Sequence, residues 1–360
     1  NNRNNQKQIQ IIQLILIFLH DFCICKKNRK KLINRRNNMK KLLVFISVLA
    51  IALTNVNAQS INEAGTKFNE ANESFKAKDF PTAIASFTEA LAICESLGEE
   101  GAELGGKIKN IIPTAYTNYG TELYKSKKFD EAISTLKTGI AEAQKYGNAK
   151  EEKKATRLIG NIYFTKAGVD YKAGNLDASL QNCNNAIEYN PKAHKAYLYK
   201  AIIYSERKDE ANMVEAATQA VNIAEADGDV KTANAARSTV TTYFINAAQE
   251  SFGKKSYDST IKSLDKALAF EPTNQTALYI KASSYNALQK YNEAVETGLL
   301  GLTAPNEDND QLLGINLELA RAYEALGDNA NACTYYKEAA KSPNFKAEAE
   351  AKMKDVLKCQ

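Results

Sequence analysis

The chain has 360 residues, a quarter of them charged, with 18 Tyr, 13 Phe, no Trp, two His and six Cys. Its formal net charge is +5, yet residues 1–58 hold 11 basic and 1 acidic residue; without them 36 basic and 41 acidic residues remain and the charge is −5. A basic balance confined to the leader leaves no Lys/Arg-rich face to concentrate phosphates, which argues against nucleic acid as a partner, and the single histidine left after residue 58, His194, cannot build a His pair or a choice of catalytic triads.

Residues 1–38 are rich in Asn, Ile, Lys and Arg and begin without Met. They read as an upstream extension from a start assigned too early; the alternative is a real extension whose run Ile11 to Ile24 touches a membrane. That run includes Gln13, His20 and Asp21 and falls short of the roughly 20 apolar residues of a spanning helix. Residues 39–58 have the order of a secretory signal peptide: Met39, Lys40 and Lys41, then the apolar Leu42 to Leu53, then Val56-Asn57-Ala58. Cleavage is expected near Ala58/Gln59, giving an exported, periplasmic or secreted protein that meets a membrane only through its uncleaved leader.

From Gln59 onward a spacing repeats seven times. A small residue starts each unit (Ala71, Gly120, Ala167, Ala201, Ala248, Ala282, Ala320). Twelve positions later stand Ala83, Ala132, Ser179, Met213, Thr260, Ala294 and Ala332, and nineteen positions after the start Ala90, Gly139, Ala186, Ala220, Ala267, Gly301 and Ala339. Repeats of this length are the signature of stacked supersecondary units. Segments such as Phe75-Lys-Ala-Lys-Asp79-Phe80 join two apolar helical faces by a short polar turn, so each unit is a helix pair whose small residues mark the close crossing. The units fall near 64–97, 113–146, 160–193, 194–227, 241–274, 275–308 and 313–346. The longer spacings at 98–112, 146–159 and 226–240 read as helices extended on each side of a joint. Residues 347–360 read as a polar-faced helix that caps the stack.

The second helix of several units resembles the tetratricopeptide repeat: Phe80, Ala83, Phe87, Ala90, Leu91 in the first, Leu176, Ser179, Cys183, Ala186, Ile187, Pro191 in the third, and Tyr257, Thr260, Leu264, Ala267, Leu268, Pro272 in the fifth. Met213, Ala217 and Gly298 depart from the pattern, and no unit has the family's first-helix Trp. The resemblance implies an all-α fold, a right-handed α-solenoid of antiparallel helix pairs, whose first helices line a concave groove for an extended peptide or a partner's helix. Positions three and two before, one after and four after each first small residue would line it. They place Phe68, Asn69 and Asn72, with Phe75, in the first unit, Asn118 and Tyr124, with Thr117, in the second, Phe164 and Tyr171 in the third, Tyr199 in the fourth, Asn246 and Phe252 in the fifth and Tyr279 in the sixth. The aromatics have a second reading, as packing between repeats, strongest for Phe75, Tyr124, Tyr171 and Phe252. Co-chaperone members of the family hold a terminal carboxylate with Lys, Asn and Arg; here Asn72 and Asn118 match, but Phe68, Asn161 and Thr165 replace the basic positions, so that clamp is not assembled.

The expected function is therefore a non-catalytic scaffold or adaptor that binds a protein or peptide in its groove, without cofactor or metal. The alternative is a glycan-binding protein that uses exposed faces of Tyr124, Tyr171 and Tyr279. His194 at a helix start reads as a surface residue, and Glu99-Glu100 and Glu151-Glu152 as solvated charges. Cys94, Cys183, Cys333 and Cys359 have no metal-site spacing and read as buried thiols; a bridge, if formed, joins Cys333 to Cys359 and ties the cap to the last unit.

Overall fold

A computed structural model describes residues 60–303 and 309–359. The expectations for 1–38 and for the signal peptide at 39–58 lie outside the described residues. Among those described there are fifteen α-helices and no strand: α1 (Ile61–Lys76), α2 (Phe80–Ser96), α3 (Ala102–Lys125), α4 (Phe129–Lys145), α5 (Ala149–Lys172), α6 (Leu176–Tyr189), α7 (His194–Glu206), α8 (Glu210–Ala226), α9 (Val230–Gly253), α10 (Tyr257–Leu268), α11 (Gln275–Ala287), α12 (Tyr291–Leu302), α13 (Asn309–Ala325), α14 (Asn329–Ala339) and α15 (Lys346–Ala351), the last running into a π-helical turn, Lys352–Leu357.

The described residues form two compact units, 60–67 with 89–105 and 68–88 with 106–359. In the smaller, Lys67 faces Glu89 at 3.4 Å. The turn after α2 brings Gly101 so close to the Cys94 carbonyl that a Cβ there would lie 2.1 Å from its oxygen, so only glycine fits. In the larger unit, from α5 onward, successive helices pack on one another, and first helices also touch the first helix of the next pair, α7 on α9 and α11 on α13. This is the solenoid arrangement expected from the spacing.

All the small residues at offsets 0, 12 and 19 are buried, most of them fully. Two of the glycines show why: a Cβ on Gly120 would lie 2.5 Å from Leu136 Cγ, and one on Gly139 would lie 2.8 Å from Tyr116 Cβ. Ser179, the slim polar residue in the series, satisfies its hydroxyl by donating to the Ala167 carbonyl at 2.9 Å.

The turn within each pair is the same in all seven units. Seven residues after the first small residue the backbone turns left-handed, at Lys78, Lys127, Gly174, Lys208, Lys255, Gln289 and Gly327. In the first unit the Lys78 amide donates to the Phe75 carbonyl and the Asp79 amide to Ser74, and the same two bonds recur in the others. They satisfy carbonyls that the ending helix leaves open. Asp79, Asp209 and Asp328 follow directly and accept from amides of the next helix, so stop and start signals share a few residues.

The long spacings are helices extended on both sides of a joint. Helices α3, α5 and α9 have 24 residues each and the preceding α2, α4 and α8 have 17. Where the spacing is 34, α6 and α7 have 14 and 13. At the C-terminal end the terminal helix is shorter than the 347–360 expected, because α15 gives way to the π-turn. Ala349 is buried, and Phe345, Met353 and Leu357 pack on a cluster with Leu317, Ala332 and Tyr336. Cys333 is joined to Cys359, with Cα atoms 5.7 Å apart. Cys94 and Cys183 are buried free thiols, and burial pushes Cys183 up to about 12.

Candidate functional site

Two clefts open on the face formed by the first helices. The larger, of about 800 Å³, lies between α7 and α9. Its walls are Ile202 and Ser205 on one side and Ala235, Ser238, Thr239, Thr242, Tyr243 and Asn246 on the other. The gap exists because these facing residues are mostly small and cannot fill the space between the helices. The smaller, of about 310 Å³, is bounded by Gln249, Phe252 and Gly253 of α9, Thr276, Tyr279 and Ile280 of α11, and Gln311 of α13. Helix α9 is the wall common to both.

The groove residues expected from the sequence divide into three groups. Asn246 is exposed in the larger cleft, and Tyr279 and Phe252 bound the smaller one. Phe164, Tyr171 and Tyr199 form a cluster in which the Tyr199 ring meets the other two edge-on, at 5.4 and 5.6 Å. The remaining residues stand apart. Phe68 packs against Phe87 of α2 at 5.9 Å, Asn69 is exposed, Asn72 donates back to the Phe68 carbonyl at 2.9 Å, and Asn118 is half-buried on α3.

Packing explains most of the rings, but within a helix pair more often than between repeats, where it was expected. Wherever an aromatic four positions after the first small residue meets another at nine, the two close over the turn: Phe75 on Phe80 at 5.5 Å, Tyr124 on Phe129 at 6.1 Å and Phe252 on Tyr257 at 5.5 Å. The third unit has Leu176 at the second place. Tyr171 instead turns to Tyr199 and donates its hydroxyl to Glu206, which, with burial second, raises the phenol to about 12. Tyr124 bonds Thr165 across α3 and α5 at 2.8 Å. Tyr279 lies over Gly314, where a Cβ would come within 2.9 Å of the ring, and burial raises its pKa.

Thr242, Ser238, Thr239 and Gln311 were outside the four-offset rule, and Gln249 fits it, one after Ala248, but was not among the residues singled out. Ser238 and Thr239 belong to the N-terminal extension of α9, which prolongs the cleft wall beyond one repeat; the long spacing at 226–240 is the signal that marks them, whereas Thr242 lies within the fifth unit.

The last unit is ionic. Glu318, almost fully buried, accepts from Asn286 at 2.7 Å and from Arg321 at 2.9 Å, and Arg321 reaches Glu348 of α15 at 2.6 Å. Burial works against the Arg321 charge, but Glu318 and Glu348 outweigh it and raise its pKa. Glu324 accepts from Lys352 and from the Tyr336 hydroxyl, both at 2.6 Å. The terminal helix thus consumes these charges within the protein.

Two polar residues differ from expectation. His194 is largely covered, 3.1 Å from Asp229 and 3.6 Å from Asp227, because the turn between α8 and α9 folds over the start of α7. Asp229 is held at about 2 by bonds from the Thr232 amide and hydroxyl, then by His194 and Lys195. Glu151 is buried in the first turn of α5, beside amides that favour a carboxylate there. No group of His, Cys, Asp or Glu among the described residues could hold a metal, and no described helix is long and apolar enough to cross a membrane.

Residues 313–343 match the tetratricopeptide repeat family, so the α13–α14 pair is one such repeat. The chain is 25% identical to an Hsp70-Hsp90 organizing protein of Triticum aestivum over 260 residues, 60% of this chain and 42% of the relative. It is 28% identical to sperm-associated antigen 1 of Mus musculus over 92 residues, 26% of this chain and 10% of the relative. It therefore spans less than half the length of these relatives. Among solved structures, the TPR2AB-domain:pHSP90-complex of yeast Sti1 aligns at 18% identity over 83% of this chain and 99% of that one, with a TM-score of 0.37. A tetratricopeptide repeat protein from Parabacteroides merdae aligns at 13% over 82% and 99%, with a TM-score of 0.27.

Proposed function

We propose that the protein is an exported adaptor of seven tetratricopeptide-repeat units that holds a partner protein or peptide on its first-helix face without catalysis. The observation that carries this reading is the open cleft between α7 and α9, walled by hydroxyls, an amide, one tyrosine and the apolar Ile202 and Ala235, with Glu206, Lys208 and Glu250 on its border. Such a surface offers hydrogen bonds and contact area to a chain laid across it but no polar constellation that would activate a nucleophile. The partner role of the Hsp70-Hsp90 organizing relatives agrees with binding in general; the missing basic positions separate this chain from a carboxylate clamp. A peptide fits better than a glycan because the rings that would stack on sugars are engaged: Tyr171 with Tyr199, Tyr124 with Phe129, and Tyr279 with Gly314.

The test is quantitative capture of partners from the native host by the purified protein and by a triple variant, Thr242→Arg, Asn246→Arg and Gln249→Arg. All three side chains are exposed, so the fold should stand, checked by an unchanged melting curve. Loss of a dominant protein partner supports the reading; full retention refutes it. The N-terminal sequence of the protein recovered from its host tests export, with Gln59 as the expected first residue.

A further inference from the structure

The first-helix face carries an electrostatic selection that the fold alone does not impose. The spacing assigns four positions per unit to that face, three and two before, one after and four after the first small residue; in the clefted units they include Ile202, Ser205, Asn246, Gln249, Phe252, Tyr279 and Ile280, all cleft-lining. Over the first six units none of these twenty-four positions holds Asp, Glu, Lys, Arg or His, in a chain in which 25% of residues are charged. They hold Asn, Gln, Ser, Thr, Gly, Tyr, Phe, Leu and Ile. Charge returns only in the seventh unit, at Glu318, Arg321 and Glu324, where α15 and its π-turn answer it. The charged residues bordering the larger cleft are Glu206, Lys208 and Glu250: Glu206 takes the Tyr171 hydroxyl, and Glu250 is 2.6 Å from Lys254 and within electrostatic reach of Lys208.

Resting on the groove reading above, we infer that the occupant is an extended, uncharged peptide segment. Its backbone lies along the hydroxyl and amide wall of the larger cleft, and one apolar side chain enters the smaller cleft among Phe252, Tyr279 and Ile280. An ionic ligand would lose its hydration on this face and find only charges already matched within the protein, which is costly. A neutral backbone finds donors and acceptors in Ser238, Thr239, Thr242 and Asn246. The smaller cleft is apolar at its floor, with Gln249 and Gln311 beside it, and the Gln311 carbonyl oxygen has no partner within the protein.

The test uses a library of random peptides displayed with free and with blocked C-termini, selected on the purified protein. Two variants accompany it. Gly253→Leu fills the smaller cleft at a place where an added Cβ meets nothing within 4 Å, so the fold tolerates it. Thr242→Glu puts a charge on the larger one. The expected result is a neutral consensus with a Leu, Ile, Phe or Tyr anchor, indifferent to C-terminal blocking. Affinity should change less than about twofold between about 0.05 and 0.5 M salt, since no ion pair is there to be screened. Gly253→Leu should weaken binding at least about tenfold, the effect of losing one well-buried apolar side chain, and Thr242→Glu should weaken it too. A consensus with a required charge or free carboxylate, or binding that survives Gly253→Leu, overturns this inference and leaves the groove reading standing. Failure of every peptide, with binding of neutral oligosaccharides on the same face, overturns both.

Discussion

The Cys333–Cys359 bridge closes a loop across a separation of 26 residues. In the chain-entropy account such a loop restricts the opened segment by about 12 cal/mol/K, or about 3.5 kcal/mol at 25 °C. The bridge should act locally, because a repeat stack opens from its ends and each unit leans only on its neighbours. In the paired substitution Cys333→Ser and Cys359→Ser, what still holds α15 is the burial of Ala349, the packing of Phe345 and Met353, and the Arg321–Glu348 and Lys352–Glu324 pairs. These pairs are partly exposed and contribute little. Amide hydrogen exchange of residues 346–357 should therefore accelerate by roughly 300-fold, the equivalent of 3.5 kcal/mol, while α9 and α10 keep their protection. Acceleration of less than about tenfold, or equal loss of protection in α9, would refute the reasoning.

Phe87 is fully buried and meets the rings of Phe68 and Phe75, so Phe87→Ala should cost about 3–5 kcal/mol in chemical denaturation; a cost below about 1 kcal/mol would show that the first pair is not packed this way. Gly298→Phe restores the family's aromatic in the sixth unit yet should destabilise by about 1–3 kcal/mol, because a Cβ there lies 2.7 Å from Leu319; combining it with Leu319→Ala should recover part of the loss, and an unaltered single variant would contradict this. Asp229, its carboxyl held at about 2, contributes stability that is present above the unfolded value near 4 and lost as pH falls through about 2; a carboxyl titration by NMR with a midpoint near 4 would exclude the Thr232 and His194 bonds. The Tyr171 phenol is raised to about 12, so its contribution is present below about 10 and lost as pH rises through about 12; an ultraviolet titration of Tyr171→Phe should lose one tyrosine that ionises near 12, while Tyr336, raised further by burial and its bond to Glu324, still ionises later.

The helix pairs were legible because the small residues at fixed offsets are demanded by backbone approach, as the near-contact of Gly120 with Leu136 shows. The recurring left-handed residue was hidden, since four of its seven occupants are lysines. They adopt that conformation because the two closing bonds of the turn outweigh a modest strain. For the site, position was readable and exposure was not. Whether Tyr171 faces solvent depends on Tyr199 and Glu206, over thirty residues along the chain in the latter case, and on the absence of a ring at Leu176. The cleft walls at Ser238 and Thr239 depend on the length of α9, which no single-repeat register contains.

The central claim is that partners lie on the first-helix face. A photo-crosslinking residue placed at Thr242, in the larger cleft, and separately at Lys262, exposed on α10, puts that claim to its most direct test in the native host. The account predicts a discrete adduct from position 242, mapped by mass spectrometry to an uncharged partner segment, and none from position 262. Equal adducts from both positions, or an adduct from 262 alone, would contradict it.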